Sequence, residues 1–270
     1  MRMIAVRVPA AEAELAADRL WTAGARAVEV RPAPADTVDL ITMLASDDGI
    51  SVERIGPVLS RWSVRFVDVD DRPAETWREF VRPIDVDGVL VIRPAWLSAV
   101  DDGRLEIAIE PGGSFGLGDH PTTRLAASAA HRLTVPGDRV LDVGCGSGVL
   151  AIIAAARGAG HVRAVDIADA AADATAENAR SNGVAHLVQV DTTTVDLLDG
   201  PYDLVLANIL APVLVALAAD LRRLTAPGGR LVVSGVLTDR HQHVTEALAP
   251  MMVRNVEDLD GWAAIELTQP

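Results

Sequence analysis

Apolar and polar positions fall into two rhythms along the chain. In residues 1–70 short alternating runs dominate. Met3–Val8 alternates as a strand, and Ala10–Trp21 carries Leu15 and Trp21 as a helix. Ala27–Val30 and Thr37–Ala45 return to strand patterning. Val52–Trp62 is helical again, and Ser63–Val69 closes as a strand through Val64, Phe66 and Val67. The order β-α-β-β-α-β is that of a split βαβ, ferredoxin-like α+β unit. Asp70-Asp71-Arg72-Pro73 breaks the pattern, 74–81 reads as a short helix with Trp77, and Pro83 ends it. Gly88–Ile92 and Leu105–Ile109 are strands about the turn signal Asp101-Asp102-Gly103. Strands and helices then alternate. Strands are read at Val140–Val143, His161–Val165, Leu187–Val190, from Tyr202, and at Arg230–Val233, where Pro227-Gly228-Gly229 turns into the strand. Helices are read over Thr123–Arg132, Val149–Ala156, Ala168–Ser181 and Leu214–Leu224. Val253–Val256 and Trp262–Leu267 are the closing strands. The expected architecture is α/β: a small N-terminal domain over 1–70, a linker helix and connector over 71–90, and a Rossmann-like sheet over 91–270.

The stretch Val140 to Leu150 organises the rest. A buried strand runs into Gly144-Cys145-Gly146-Ser147-Gly148 and opens a helix. Such a turn lets a ligand lie against backbone without a Cβ clash. A dinucleotide fingerprint spaces its glycines G-x-G-x-x-G; here the third glycine comes one position early. Asp142 at the strand tip would repel a pyrophosphate and would suit the cationic groups of a sulfonium amino acid. Asp166 ends the next strand at the distance where an acid accepts bonds from ribose hydroxyls. Asp191 or Thr192 follows the third strand, where an adenine amino group could be read. Asn208 lies at the carboxyl end of a central strand, where open α/β sheets place their sites. Its amide oxygen could accept a hydrogen bond from an attacking amine; Asn is also a good helix N-cap. The loop Glu110 to Thr123, rich in glycine, carries Phe115 and could fold over a bound ligand.

Composition narrows the chemistry. The net charge of −14 disfavours direct nucleic-acid binding and suits a basic protein partner. All 24 basic residues are Arg, so lysine-dependent chemistry is excluded. One Cys permits no internal disulfide and points to a reducing compartment. With no charged leader before an apolar run, and no run near the ~18 apolar residues of a span, neither signal peptide nor membrane span is expected. His241 and His243 would not share a helix face and read as surface, and no metal site is expected.

From about Trp77 onward the chain resembles the bacterial methyltransferases of large-subunit ribosomal protein eleven. The resemblance rests on the Phe115–Thr123 loop, the Val140–Leu150 turn, Asn178 to Gly183, Ala207-Asn208-Ile209-Leu210-Ala211 and Ser234-Gly235-Val236-Leu237. It implies a class I methyltransferase sheet and S-adenosylmethionine as cofactor. The implied cofactor-binding residues are Thr123, Gly144, Asp166 and Asn208, with Phe115 in the loop that closes over the cofactor; Asp142 and Gly146 join them from the turn itself. Asn208 is the candidate catalytic residue. His120 is the one general-base candidate, against a structural role. The resemblance further implies a small N-terminal domain that holds a ribosomal protein, methylation of lysine ε-amines and the N-terminal α-amine, and a cytoplasmic enzyme, read as a monomer. Leu117 departs from the family, which has Thr there. Methyltransferases of planar amino groups usually carry Asn-Pro-Pro-Tyr or a close variant at this strand end, so Asn208-Ile209-Leu210-Ala211 argues against planar amide or adenine acceptors. Another lysine-rich protein, a small-molecule amine, a non-catalytic binding module and a nicotinamide-dependent reductase stay as alternatives, the last disfavoured by the glycine spacing.

Overall fold

The computed structural model describes residues 2–22, 28–43, 61–68, 82–110 and 119–270. Trp77, Phe115, Leu117, the helix expected over 74–81 and nearly all of that over 52–62 lie outside them. The chain divides into two compact units, Met1–Val81 and Arg82–Pro270.

In the first unit β1 (Arg2–Pro9), α1 (Ala13–Thr22), β2 (Val28–Ala33), β3 (Thr37–Met43) and β4 (Ser63–Asp68) form an antiparallel sheet in the order β2-β3-β1-β4. β3 therefore lies between β1 and β2 and splits the first crossover. Period-2 alternation sorts the residues of β1. Ile4, Val6 and Val8 are buried with Ala16, Leu20 and Leu40. Arg7 points the other way and grips Asp39 on β3 through two bonds of 2.8 and 2.7 Å. Arg65 on β4 reaches the same carboxylate at 2.6 Å. The Arg7 bonds hold the Asp39 carboxyl below its usual range.

The second unit begins with β5 (Ile84–Val86), β6 (Leu90–Pro94) and β7 (Leu105–Ile109), a small sheet in that order. Then come α2 (Pro121–Leu133), β8 (Arg139–Val143), α3 (Val149–Ala156), β9 (His161–Val165), α4 (Asp169–Ser181) and β10 (Val188–Asp191). The remainder is β11 (Tyr202–Asn208), α5 (Ala211–Ala216), α6 (Ala218–Leu224), β12 (Thr225–Leu237), α7 (Gln242–Ala247), β13 (Met252–Leu259) and β14 (Trp262–Thr268). Strands β8–β14 form one sheet in the order β10-β9-β8-β11-β12-β14-β13. The first five strands are parallel; β14 and β13 return antiparallel.

Alternation along the central strands builds two cores. Val140, Leu204, Leu206 and Val232 face a layer containing α3 and the small sheet. Leu141, Val143, Val205, Ala207 and Val233 face the other, with Leu214, Leu221 and Val244. Helix α3 is apolar on every side because every side is covered, and Val149 to Ala155 are all buried. Each buried Leu, Ile or Val contributes about 1.5–3 kcal/mol of transfer free energy, so these two layers hold the strand ends in place.

Three local expectations needed correction. The stretch 214–224 is two helices, because Leu217 leaves helical geometry at φ −89°, ψ 1°. The fifth parallel strand starts at Thr225: Pro227-Gly228-Gly229 bulges within it, between the pairs Tyr202↔Thr225 and Leu204↔Arg230. A three-residue strand, Ile84–Val86, precedes the two expected there.

Candidate functional site

A cleft of about 630 Å³ opens at the carboxyl ends of the parallel strands. It sits where β8 has β9 on one side and β11 on the other, the switch point at which such sheets bind ligands. Its two walls are the glycine turn after β8 and the exit from β11.

The turn needs its glycines for stated reasons. Gly144 has φ +72°, and a Cβ there would stand 2.3 Å from Ile209 Cγ2. Gly148 has φ +80° and its Cβ would strike Thr175. Gly146 also takes positive φ. The backbone N–H groups are largely engaged within the protein. Those of Gly144 and Cys145 donate to Val165 O at 2.8 and 3.1 Å, and that of Gly148 to Cys145 O at 2.8 Å. Gly146 N–H donates to Asp166 Oδ2 at 3.0 Å, and Ala151 N–H to Asp142 Oδ2 at 3.0 Å. A phosphate would find these donors taken and the Asp166 carboxylate beside them. The turn suits a cationic or neutral ligand, and the glycine spacing points the same way on independent grounds.

Asp166 lines the cleft. Its Oδ1 accepts from Ala168 N–H at 3.0 Å, so both oxygens are aimed by backbone donors, with lone pairs left for hydroxyls. Beside it Ile167 is 92% exposed and offers an apolar shelf. Thr193 and Thr194 line the wall beyond β10. Asp191 does not: it is paired with Arg163 at 2.5 Å and accepts from Thr193 N–H, which corrects the adenine reading of Asp191 or Thr192.

Asp142 is a second correction. It was expected to face the ligand, yet it is 1% exposed and is not among the residues lining the cleft. The period of the strand is the reason, since Asp142 shares the face of Val140 and points beneath α3. Its Oδ1 has no hydrogen-bond partner among the described residues. Burial pushes the carboxyl up to about 7; the bond from Ala151 opposes the shift and the Asp166 charge adds to it. Burial likewise raises the Cys145 thiol to about 12, so it is no thiolate nucleophile.

On the other wall, Asn208 ends β11. It is not a helix N-cap; that position belongs to Leu210. Its Nδ2 makes a long 3.5 Å bond to Thr123 Oγ1, which leaves the amide oxygen available to accept. Thr123 is buried at the start of α2 and lines the cleft with Asn208, Ile209 and Leu210. Gly235 explains part of the neighbouring motif: a Cβ there would stand 2.4 Å from Ile209 O. Ser234 donates to Thr122 O at 3.2 Å and to Ala263 O at 3.1 Å, tying α2 to the sheet.

The family comparison fits this geometry. A family model described as ribosomal protein L11 methyltransferase (PrmA) matches residues 50–270. The chain belongs to the PrmA family. A relative of that name from Exiguobacterium sp. is 36% identical over 253 residues, covering 90% of this chain and 79% of its own length. Another from Geotalea daltonii is 33% identical over 291 residues, covering 94% and 92%. A crystal structure of a ribosomal protein L11 methylase from Lactobacillus delbrueckii subsp. bulgaricus superposes with a TM-score of 0.65. It shares 32% identity, over 70% of this chain and 99% of that one.

In this PrmA-family chain the cleft brings together Thr123, Gly144, Gly146, Asp166 and Asn208. Phe115 and Leu117 lie outside the described residues. His120 does not line the cleft: its Nδ1 caps α2 at Thr122, and its ring meets Trp262 edge-on at 5.0 Å. His241 bonds Thr238 O through Nδ1 at 2.7 Å. Two polar residues escaped the sequence reading as parts of the site. Thr175 donates to Gly146 O at 3.1 Å, and Asn178 donates to Ser147 O at 2.9 Å. The available signal was two polar residues one turn apart on the stripe of α4 that also carries Ala171 and Ala179.

Proposed function

We propose that this chain methylates amines of ribosomal protein L11: lysine ε-amines and the N-terminal α-amine. S-adenosylmethionine supplies the methyl group, as an electrophilic carbon on a sulfonium. The cleft fits such a cofactor by its donor set. Asp166 is aimed to accept hydroxyls and biases the turn toward cationic groups, and Ile167 offers an apolar shelf. The observation that carries the reading is the pairing of this phosphate-averse turn with Asn208 across the switch point, in a chain of the PrmA family.

The protein's own residues then have limited tasks. Thr123 holds Asn208 through its amide nitrogen, so Oδ1 can accept an N–H of the incoming amine and aim its lone pair. Ile209 and Leu210, the latter 67% exposed, give that side an apolar surface that sheds water as substrate covers it. A lysine amine has a pKa of about 10.4 in water, so making it neutral at pH 7 costs about 4–5 kcal/mol. Desolvation against these walls lowers that cost. Among the described cleft-lining residues the titratable ones are Cys145, Asp166 and Asp196. Cys145 is a buried thiol and Asp166 is held by two N–H donors. With no base assigned among them, Asp196 included, the ammonium gives its proton to water as it enters, and the neutral amine is the nucleophile. We assign substrate holding to the ferredoxin-like N-terminal unit, and a cytoplasmic, monomeric enzyme without direct nucleic-acid contact is the accompanying expectation.

The test is tritiated S-adenosylmethionine with L11 from the same organism, beside an Asp166→Ala control. Label mapped to lysine and α-amine nitrogens, and lost in the control, supports the reading. A chain that binds cofactor but labels only another protein or a small amine overturns the acceptor assignment.

A further inference from the structure

We infer that Asn178 is a positioning residue for the cofactor: its amide fixes the glycine turn against Glu110, the residue after β7. Asn178 is 1% exposed on the inner face of α4. Its Nδ2 donates to Ser147 O at 2.9 Å and to Glu110 O at 3.0 Å, and its Oδ1 accepts from Glu110 N–H at 2.9 Å. One amide thus uses both N–H groups and its oxygen on two backbones that are distant in sequence. Only a primary amide offers that set at this length.

A neighbour shows what part of this is scaffold. One turn on, Asn182 holds the same strand in the same way. Its Nδ2 donates to Ala108 O at 2.7 Å and its Oδ1 accepts from Ala108 N–H at 2.9 Å. Its remaining Nδ2 contact goes to Asn178 O at 2.8 Å, within its own helix. Both residues extend β7 by imitating a neighbouring strand, but Asn178 alone also reaches the glycine turn. That turn carbonyl is drawn toward α4, as Gly146 O is by Thr175. With both carbonyls held back, the Gly146 N–H stays directed at Asp166, the carboxylate that faces the cleft. Loss of the Asn178 amide frees Ser147 O, leaves a buried carbonyl without this donor, and loosens the frame of Asp166.

This inference rests on the cofactor occupying the turn, so the experiment separates the two. The full chain is titrated calorimetrically with S-adenosylhomocysteine as wild type, Asp166→Ala, Asn178→Ala, Asn178→Asp and Asn182→Ala, with melting temperatures for each. Asn178→Asp keeps the size and the acceptor for Glu110 and loses both donors. Both Asn178 variants are expected to weaken binding about tenfold or more, the scale of one to two lost hydrogen bonds. Asn182→Ala should lower the melting temperature comparably and change the Kd less than about threefold. In turnover, KM for the cofactor should rise in the Asn178 variants while kcat at saturation stays within about threefold. Equal Kd changes at 178 and 182, an unchanged Kd at 178, or failure of both Asn178 variants to fold while Asn182→Ala folds would each overturn the inference. An unchanged Kd in Asp166→Ala would instead overturn the site assignment itself.

Discussion

The two walls of the cleft differ in how completely their polar groups are matched. On the turn wall, the backbone N–H groups of Gly144, Cys145, Gly146 and Gly148 and both oxygens of Asp166 have partners inside the protein. On the exit wall, the Asn208 side chain makes one bond among the described residues, at 3.5 Å, and its neighbours Ile209 and Leu210 are apolar. The matched wall is rigid before any ligand arrives, as a wall that recognises one invariant cofactor should be. On the proposed reading, the other wall keeps an acceptor in reserve for a transient amine. Preorganisation belongs to the cofactor half and spare hydrogen-bonding capacity to the acceptor half.

The largest test concerns the strand beneath the turn wall, where Asp142 Oδ1 has no hydrogen-bond partner among the described residues. Its carboxyl sits at about 7 against 3.8 for the ordinary group. A raised acid pKa favours the protonated form in the folded protein. Its stability contribution is full below about pH 4, falls as pH rises toward 7, and is level above that. The span is about 4 kcal/mol by the usual conversion. Urea unfolding between pH 4 and 8 should show this slope in wild type and a profile flatter by that amount in Asp142→Asn. Identical slopes would mean the carboxyl is not isolated as described.

Next in size is Asn208→Ala. Loss of the amine acceptor should lower kcat about 10²- to 10³-fold, with the Kd for S-adenosylhomocysteine changed less than about threefold. A Kd loss matching the kcat loss would erase the contrast and make Asn208 part of the cofactor wall. Smaller again is Asp166→Ala, which removes the hydroxyl acceptor and the anchor of Gly146 N–H. Calorimetry should read a Kd about 100-fold weaker, in line with bonds to a charged group. A drop in kcat at saturating cofactor with unchanged Kd would place Asp166 on the wrong wall.

Much of the turn wall is legible in the sequence because its constraints are backbone constraints. Gly144 and Gly148 must be glycine, and a strand of five residues ending in them identifies both the fold and the site. The register of Asp142 is easily misjudged when the acid is treated as a tip residue. Strand period puts it on the α3 face, and that follows from counting back to Val140. The part that Thr175 and Asn178 play at the site escapes notice, although Asn178 opens a stretch shared with the family, because a polar residue on an alanine-rich helix reads as solvent-facing. Only the glycine turn, which Thr175 and Asn178 meet, and β7, against which Asn178 and Asn182 bond, make that stripe interior. Leu217 gives no local sign of the break between α5 and α6, since neither Gly nor Pro marks it. The bulge at Pro227-Gly228-Gly229 uses the same residues as a turn, and only pairing with β11 distinguishes them. Asn208 is legible by position alone, because an unsaturated acceptor leaves no pattern beyond its place at a strand end.

The smallest expected effect concerns His120, the one residue that would give the exit wall a base. In the structure it is a helix cap: Nδ1 lies 2.8 Å from Thr122 Oγ1 and accepts Thr122 N–H at 3.3 Å. The ring packs against Trp262 and does not line the cleft. His120→Ala should therefore cost about 1 kcal/mol of stability, the usual value of an N-cap, and lower the melting temperature by roughly 2–4 °C for a domain of this size. His120→Asn should restore most of that loss, since Asn caps well. Both variants should keep the wild-type pH dependence of kcat if, as proposed, the amine is made neutral by desolvation and not by an imidazole. If both lose more than about tenfold in kcat and one limb of the pH profile moves, His120 takes the proton. The exit wall would then be as specialised as the turn wall, and its spare capacity would lie in a proton acceptor rather than in Asn208.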